Sequence, residues 1–175
     1  MDNFYAFIDE SRSGRYTLCL LRVQDHKVSE LRKTMESLRK NGQSRVHMKQ
    51  ESDSRRREIL GKLNALSNWD ALILESSRNT RISADTRQKL FLLMAQHPLW
   101  QKVNDLIIED STDRIRDKRT LAWLTKNGNH HFNYTFKKPA EDSGLWAVDA
   151  IVWAYAKGGS WRKSISDRVE KITAP

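Results

Sequence analysis

Continuous apolar runs alternate with helical spacings of three and four residues along this chain, and the pattern predicts a mixed α/β structure. A Ser13-Gly14 turn between the first two apolar runs predicts an antiparallel hairpin. Strands are predicted at residues 4–8, 16–23, 45–48, 69–75, 103–108 and 132–136. Helices are predicted at residues 28–38, 54–66, 84–96, 113–126, 145–156 and 161–172.

A hairpin followed by alternating strands and helices predicts a layered α/β fold with a mixed β-sheet. The sequence shows no repeat, linker or low-complexity stretch, and 175 residues suit one domain spanning 1–175. Six Trp, five Phe and four Tyr supply large apolar side chains for a packed core.

Several classes of protein are excluded by what the sequence lacks. Cys19 is the single cysteine, so an intramolecular disulfide and a multi-thiolate zinc site are impossible. No phosphate-binding glycine loop, nucleophile elbow or dinucleotide fingerprint is present. The first residues lack a signal-peptide pattern and no apolar run nears about 18 residues. We therefore expect a soluble, cytoplasmic protein that does not enter a membrane.

The charge is strongly basic and unevenly distributed. The formal net charge is +9 and the isoelectric point is about 9.8. Residues 1–62 carry +5, residues 63–112 carry −1 and residues 113–175 carry +5. A basic periphery around an acid-containing middle favours a polyanionic partner such as DNA or RNA. Charge that serves solubility alone remains an alternative.

Carboxylates follow three of the predicted strands. Asp9-Glu10-Ser11 ends the first, Glu75-Ser76 another, and Glu109-Asp110-Ser111 a third. If these strands are neighbours, the acids lie at one edge of the sheet, where they would repel one another unless a cation neutralises them. Asp and Glu oxygens are the ligands that Mg²⁺ and Mn²⁺ prefer. Turn and helix-capping roles are the alternative for each acid.

A fourth acid lies in the late apolar helix. Residues 146–156 are apolar on every side of the helix except at Asp149. A buried, unpaired carboxylate costs several kcal/mol, so Asp149 needs a metal ion, an Arg or His partner, or access to water.

These segments resemble domain-of-unknown-function family thirty-eight hundred. The resemblance rests on the Phe-Ile-Asp-Glu-Ser strand end, the Val-His-Met-Lys segment before an Arg-rich helix, and Ala147-Val148-Asp149-Ala150 with the later Gly158-Gly159. It covers most of the chain. Two positions depart from the family pattern, namely Arg12 in place of a glycine and Trp146 in place of a Gln.

The resemblance implies a ribonuclease H-like mixed β-sheet flanked by helices. It also implies a two-metal phosphodiesterase site that uses Mg²⁺ or Mn²⁺, with the ions about 3.5–4 Å apart. The catalytic and metal-binding residues implied by position are Asp9, Glu75, Asp110 and Asp149. Glu10 and Glu109 are expected to point to the other face of the sheet, because side chains alternate along a strand.

Further residues are candidates for supporting roles. Glu10, His47 and Lys157 are possible auxiliaries of the site, and a core or helix-end role is the alternative for His47 and Lys157. The candidate nucleic-acid-binding residues are Arg55, Arg56, Arg114, Arg116, Lys118 and Arg119. Solvated helix faces paired with neighbouring acids are the alternative for Arg55 and Arg56.

Two functions follow from these patterns. The first is a metal-dependent nuclease that hydrolyses DNA or RNA. The second is a noncatalytic module of a mobile-element or defence system that binds nucleic acid or a protein. A homodimer or a protein partner is compatible with either function, and the strand form of the nucleic acid is open.

Overall fold

The computed structural model describes residues 3–77 and 83–175, and these residues contain one mixed β-sheet. Its strands are β1 (Phe4–Ser11), β2 (Thr17–Gln24), β3 (Trp69–Glu75), β4 (Val103–Glu109), β5 (Asn133–Lys137) and β6 (Val169–Thr173). Their order across the sheet is β5-β4-β1-β2-β3-β6. Strands β1, β2 and β3 are antiparallel neighbours, whereas β4 runs parallel to β1, β5 to β4 and β6 to β3.

Helices cover both faces of the sheet. They are α1 (Val28–Ser37), α2 (Asp53–Ala65), α3 (Ala84–Met94), α4 (Arg114–Asn127), α5 (Gly144–Lys157) and α6 (Gly159–Lys163). Helices α1, α2 and α5 pack on one face, and α3 and α4 pack on the other. The fold is therefore the layered α/β arrangement that the sequence pattern predicted, a mixed sheet between two helical layers.

The central strands are apolar throughout because both of their faces are buried. Phe7 packs into the core beneath α5, while the adjacent Ile8 packs into the core beneath α3 and α4. The same alternation places Ile107 beneath α5 and Ile108 beneath α3 and α4. A strand of this kind forms a continuous hydrophobic run without polar alternation.

The predicted strand at residues 45–48 is wrong. This segment is extended at His47 but joins no sheet, and Met48–Gln50 form a single 3₁₀ turn. The Met48 N–H donates to the Asp149 carboxylate at 2.9 Å, and the Met48 carbonyl accepts from Arg56 at 2.9 Å. Both backbone polar groups of Met48 thus bond to side chains of α5 and α2, and the His47 carbonyl accepts the Gln50 N–H, so no neighbouring strand is involved.

The predicted helix at residues 161–172 is also wrong. Helix α6 ends at Lys163, and the chain turns into β6, which extends the sheet next to β3. Val169 and Ile172 are three residues apart, as on a helix face, but Val169 packs into the core beneath α5 and Ile172 into the opposite core. Backbone pairing with the edge of β3 outweighed the helical spacing.

Helix α5 begins in direct contact with the sheet. A Cβ atom at Gly144 would lie only 2.2 Å from the ring of Phe7, which is fully buried. Only glycine permits this approach of the helix backbone to an aromatic ring. The contact fixes the height of α5 above β1. No helix among the described residues has the length and apolar character needed to cross a membrane.

Gly144→Ala is expected to lower the free energy of unfolding by about 1–3 kcal/mol, because the added methyl group overpacks the Phe7 contact. Gly61→Ala is the matched control, since Gly61 lies in α2 with open space around the position of a Cβ atom. That change is expected to raise stability by up to about 1 kcal/mol through helix propensity. Urea unfolding measures both, and equal effects would contradict the close contact.

Candidate functional site

Three carboxylates from three elements lie together at one end of the sheet. Strands β1 and β4 are parallel neighbours with Ile8 opposite Ile108, so Asp9 and Glu109, one residue further along, project toward α5. Asp149 comes from the middle of α5. Together they line a cavity of about 250 Å³. We call Asp9, Glu109 and Asp149 the acid cluster.

Hydrogen bonds orient the members of the acid cluster. Asp9 is 8% exposed, accepts the Glu10 backbone N–H at 2.7 Å and shares a hydrogen bond with the Glu109 side chain. The Asp149 Oδ2 atom, which accepts the Met48 N–H, lies 3.4 Å from Nδ1 of His47. That nitrogen is buried and makes no hydrogen bond with the described residues.

The electrostatics of the acid cluster favour a bound cation or proton. Burial, the hydrogen bond with Glu109 and the charge of Asp149 raise the pKa of Asp9 well above its usual value. The charges of the two neighbouring carboxylates thus add to the effect of burial and disfavour ionisation of Asp9. Arg45 is a cation beside Glu109, with its Nη1 atom 4.0 Å from the Glu109 Oε1 atom.

The acid cluster fits a divalent metal ion by donor chemistry. Among the described residues, no three His, Cys, Asp or Glu side chains are arranged as a ready-made metal site. The cluster nevertheless presents carboxylate oxygens, the hard ligands that Mg²⁺ and Mn²⁺ prefer, around one cavity. A cation there would relieve the repulsion that raises the pKa of Asp9. Asp9, Glu109 and Asp149 are the residues that would hold it.

Asp142 anchors the helix that carries Asp149. Its carboxylate accepts bonds from Arg32 at 2.7 and 2.9 Å, from Lys137 at 2.9 Å and from the Gly144 N–H at 3.0 Å. Burial raises the pKa of Asp142, but these hydrogen bonds outweigh it and hold the pKa below the usual value. The start of α5 is thereby tied to α1 and to the end of β5.

Glu10 points to the opposite face of the sheet from Asp9, as expected from strand alternation. Its carboxylate is hydrogen-bonded by Arg12, Tyr16 and Arg87. Burial raises the pKa of Glu10, but these partners lower it overall. Arg87 is buried and also forms a two-point ion pair with Asp117 of α4. Glu10 borders the acid cavity, but its oxygens are engaged by this network.

The structure does not bring Asp110 to the acid cluster. Asp110 accepts a hydrogen bond from Arg114 at 3.1 Å, and Glu109 occupies the place expected for it. Both faces of β4 are buried, so its apolar pattern does not indicate which acid faces α5. The register of β4 against β1 decides the matter, and it sets Glu109 beside Asp9. The expectation that Glu109 points away was therefore wrong.

Glu75 is also separate from the acid cluster. It ends β3, two strands from β1, which corresponds to about 10 Å across a sheet. Its carboxylate forms an ion pair with Arg15 and accepts a hydrogen bond from the Tyr155 hydroxyl at 2.8 Å. Glu75 faces α5 as expected, but antiparallel β2 separates it from Asp9.

Two of the predicted auxiliaries lie near the acid cluster. His47 lines the acid cavity and a second cavity of about 500 Å³, which also contains Lys157, the last residue of α5. The second cavity shares Glu10, His47 and Asp149 with the first. The two cavities are therefore adjacent to each other.

The predicted basic residues have mixed placements. Arg55 and Arg56 are engaged in contacts within the protein, including the bond from Arg56 to the Met48 carbonyl and ion pairs with Glu58 and Asp53. The four predicted basic residues of α4 are exposed and do not line the acid cavity. They are Arg114, Arg116, Lys118 and Arg119. Helix α4 packs on the sheet face opposite α5.

Solved structures similar to this chain include several ribonucleases H. Ribonuclease H2 from Pyrococcus horikoshii OT3 superposes with a TM-score of 0.62 at 14% identity, over 86% of this chain and 70% of that chain. A chain of the PCNA:RNase HII complex from Archaeoglobus fulgidus gives 0.53 at 15% identity, over 88% and 73%. Bst-RNase HIII in complex with Mn²⁺ gives 0.50 at 12% identity, over 87% and 51%.

The fold is thus ribonuclease H-like, and at these identities the similarity concerns the fold alone. No protein-family model matches the chain. No curated protein matches it either.

A signal in the sequence could have identified Glu109. The segments Ile8-Asp9-Glu10-Ser11 and Ile108-Glu109-Asp110-Ser111 align without gaps at an offset of one hundred residues. The alignment pairs Asp9 with Glu109 and Glu10 with Asp110, as the β1–β4 register does.

Asp142→Asn is expected to make stability less sensitive to acid. The pKa of Asp142 is lower in the folded state, so its contribution is present above the usual aspartate pKa of about 3.9 and is lost as the pH falls through its folded pKa. The variant should therefore be less stable at neutral pH and lose less stability on acidification. Urea unfolding from pH 7 downward measures this, with Asp167→Asn, an exposed aspartate, as the control. Parallel curves for wild type and Asp142→Asn would contradict the assignment.

Proposed function

We propose that this chain is a divalent-cation-dependent nuclease that hydrolyses phosphodiester bonds in DNA or RNA. One observation carries the proposal. Asp9, Glu109 and Asp149, from β1, β4 and α5, lie together at one end of the strands of a ribonuclease H-like sheet. The fold's neighbours are named as ribonucleases, and one of them was solved with Mn²⁺. The proposal treats residues 1–175 as one domain.

The acid cluster would hold Mg²⁺ or Mn²⁺ at the site. When bound, such ions activate a water molecule for attack and stabilise the leaving oxygen of a phosphodiester. Asp9 and Glu109 supply oxygens from the rigid central strands, and Asp149 supplies its carboxylate from the packed helix α5. The Met48 N–H orients the Asp149 carboxylate by a hydrogen bond, and Nδ1 of His47 lies 3.4 Å from the same oxygen. Arg45 lines the same cavity and is placed to bind a phosphate oxygen.

This assignment keeps two of the acids predicted from the sequence and replaces a third. Asp9 and Asp149 retain the catalytic and metal-binding roles, and Glu109 takes the role predicted for Asp110. Glu75 has no direct part in the acid cluster. Glu10, His47 and Lys157 remain proposed auxiliaries, and α4 remains a proposed contact surface for nucleic acid.

A noncatalytic nucleic-acid-binding module is the second candidate. It is favoured by the cations next to the acid cluster, because Arg12, Lys49 and Lys157 line the second cavity and would bind phosphate without any metal ion. We keep two further predictions from the sequence. The first is membership of domain-of-unknown-function family thirty-eight hundred, and the second is a homodimer or a protein partner. One structural neighbour was solved as a complex with PCNA.

Asp149→Asn and Glu109→Gln are each expected to lower the cleavage rate about a hundredfold or more, because each removes a charge that would hold the metal ion. Cleavage of labelled single-stranded, duplex and hybrid DNA and RNA is measured in Mg²⁺, in Mn²⁺ and in EDTA. We expect cleavage by the wild type in the presence of metal and none in EDTA.

Asp110→Asn is the matched control, since it removes one charge next to Glu109 from a carboxylate that bonds Arg114 instead. It is expected to retain most of the wild-type rate. An inactive Asp110→Asn beside an active Glu109→Gln would reverse the assignment. Folded wild-type protein that binds these substrates but cleaves none of them would support the binding module.

A further inference from the structure

Three neighbouring cavities follow one another from the acid cluster along helix α5. The acid cavity adjoins the second cavity, and the second adjoins a third of about 380 Å³, with which it shares Ser13 and Ala156. We call the second and third cavities together the α5 trough. Its walls are the β1–β2 turn on one side and the second half of α5 on the other.

The charge along this path changes from acidic to basic. The acid cavity is lined by Asp9, Glu10, Glu109 and Asp149 against Arg45 and Arg87. Farther along, the second cavity adds Arg12, Lys49 and Lys157. The third cavity presents Arg15, Arg162 and Lys171 around the single carboxylate of Glu75. A polyanion whose one phosphate lies at a metal ion on the acid cluster would meet cations at each following phosphate.

Contacts within the protein hold the cations at the basic end of the trough in place. Glu75 is 6% exposed and forms an ion pair with Arg15, while Lys171 lies 3.8 Å from it. Tyr155 donates its hydroxyl to Glu75, and Arg162 lies 4.1 Å from the Tyr155 ring centroid and donates to the Tyr155 carbonyl at 2.8 Å. Glu75 thus pairs with Arg15 and Lys171, while Tyr155 holds Arg162 beside them, and Arg162 and Lys171 keep exposed surface.

The second cavity, between the acid cluster and the basic end of the trough, has an apolar surface that suits a nucleotide chain. Val152, Ala156 and the half-buried Trp153 line the second cavity beside the cations. Apolar and aromatic surface next to cations is the combination by which proteins bind a single nucleic-acid strand. Asp149 and Ala156 are seven residues apart on α5, which is about 10 Å of helix. Helix α5 thus carries a member of the acid cluster and part of the lining of the third cavity at points about 10 Å apart.

We propose that the α5 trough binds one strand of a nucleic acid, with Arg15, Arg162 and Lys171 holding a backbone phosphate beyond the acid cluster. The proposal rests on the proposed function for the position of the reacting phosphate. Glu75 is a positioning residue in this arrangement. Burial raises the pKa of Glu75, but Tyr155, Lys171 and Arg15 hold it below its usual value, so it stays charged and keeps Arg15 in place.

The test is the salt dependence of binding. Binding of labelled single-stranded 20-mers of DNA and RNA to the full chain is measured by fluorescence anisotropy over a range of KCl concentrations. It is done in EDTA, in which the proposed nuclease does not cleave. Arg162→Gln and Lys171→Gln are each expected to make the slope of log K against log salt less steep, by up to about 0.7, the value for one phosphate contact with a single strand.

Lys62→Gln is the control. Lys62 is exposed on α2 and lines none of the three cavities. Its slope should equal that of the wild type. Arg162 also contacts Tyr155, so thermal unfolding of each variant accompanies the binding measurement. Lys171 is exposed and lies 3.8 Å from the Glu75 carboxylate, so Lys171→Gln is expected to have little effect on packing.

The outcomes separate this proposal from the proposed function. Slopes for the trough variants equal to that of Lys62→Gln overturn the trough, even if the wild type cleaves in Mg²⁺. Reduced slopes support it, even if no cleavage is found. Saturable binding of inorganic phosphate that Arg162→Gln abolishes, with an unchanged slope for the 20-mers, would assign the basic end to a free phosphate group and overturn the proposal.

Discussion

The position of the acid cluster depends on how closely helix α5 lies on the sheet. At Gly144 the helix backbone rests against the ring of Phe7, and from there on the buried face of α5 packs over β1 and β2. Asp149 is just over one turn farther along, so the same contact that excludes a side chain at residue 144 sets the height of its carboxylate above Asp9. Asp142 fixes the beginning of the helix by hydrogen bonds. Apolar packing thus holds like charges together that would otherwise separate.

Much of the fold could be predicted because its strands and helices are strongly patterned. The runs that became β1 to β5 and helices α1 to α5 were identified, with small shifts at their ends. The failures lie where distant groups decide local structure. Residues 45–48 are held by Asp149 and Arg56, and β6 exists because β3 offers it an edge. Local spacing contains neither kind of information.

The candidate site was predictable in kind but only partly in membership. Asp9 and Asp149 were identifiable, the first as the acid that ends an apolar strand and the second as the lone charge of an apolar helix. The choice between Glu109 and Asp110 depends on the register of two strands that are distant in sequence, which only the matching segments at residues 8–11 and 108–111 indicate. The separation of Glu75 required the strand order. The chemistry of a site can be inferred from the types of residue in it. Which of those residues lie close together depends on how the strands pair. Because β2 lies between β1 and β3, Glu75 pairs with Arg15 and Lys171, whereas it was expected from the sequence to be a metal ligand.

Cys19 lies opposite Asp9 in the β1–β2 pair and is fully buried. Burial and the charge of Asp9 raise the pKa of its thiol, so the reactive thiolate is suppressed while these strands stay paired. As the sole cysteine, it is a natural reporter at the centre of the molecule. A thiol reagent can modify it only when the sheet opens beneath the acid cluster, so the labelling rate measures the free energy of that opening. The protein carries its own probe of how rigidly its central strands are held.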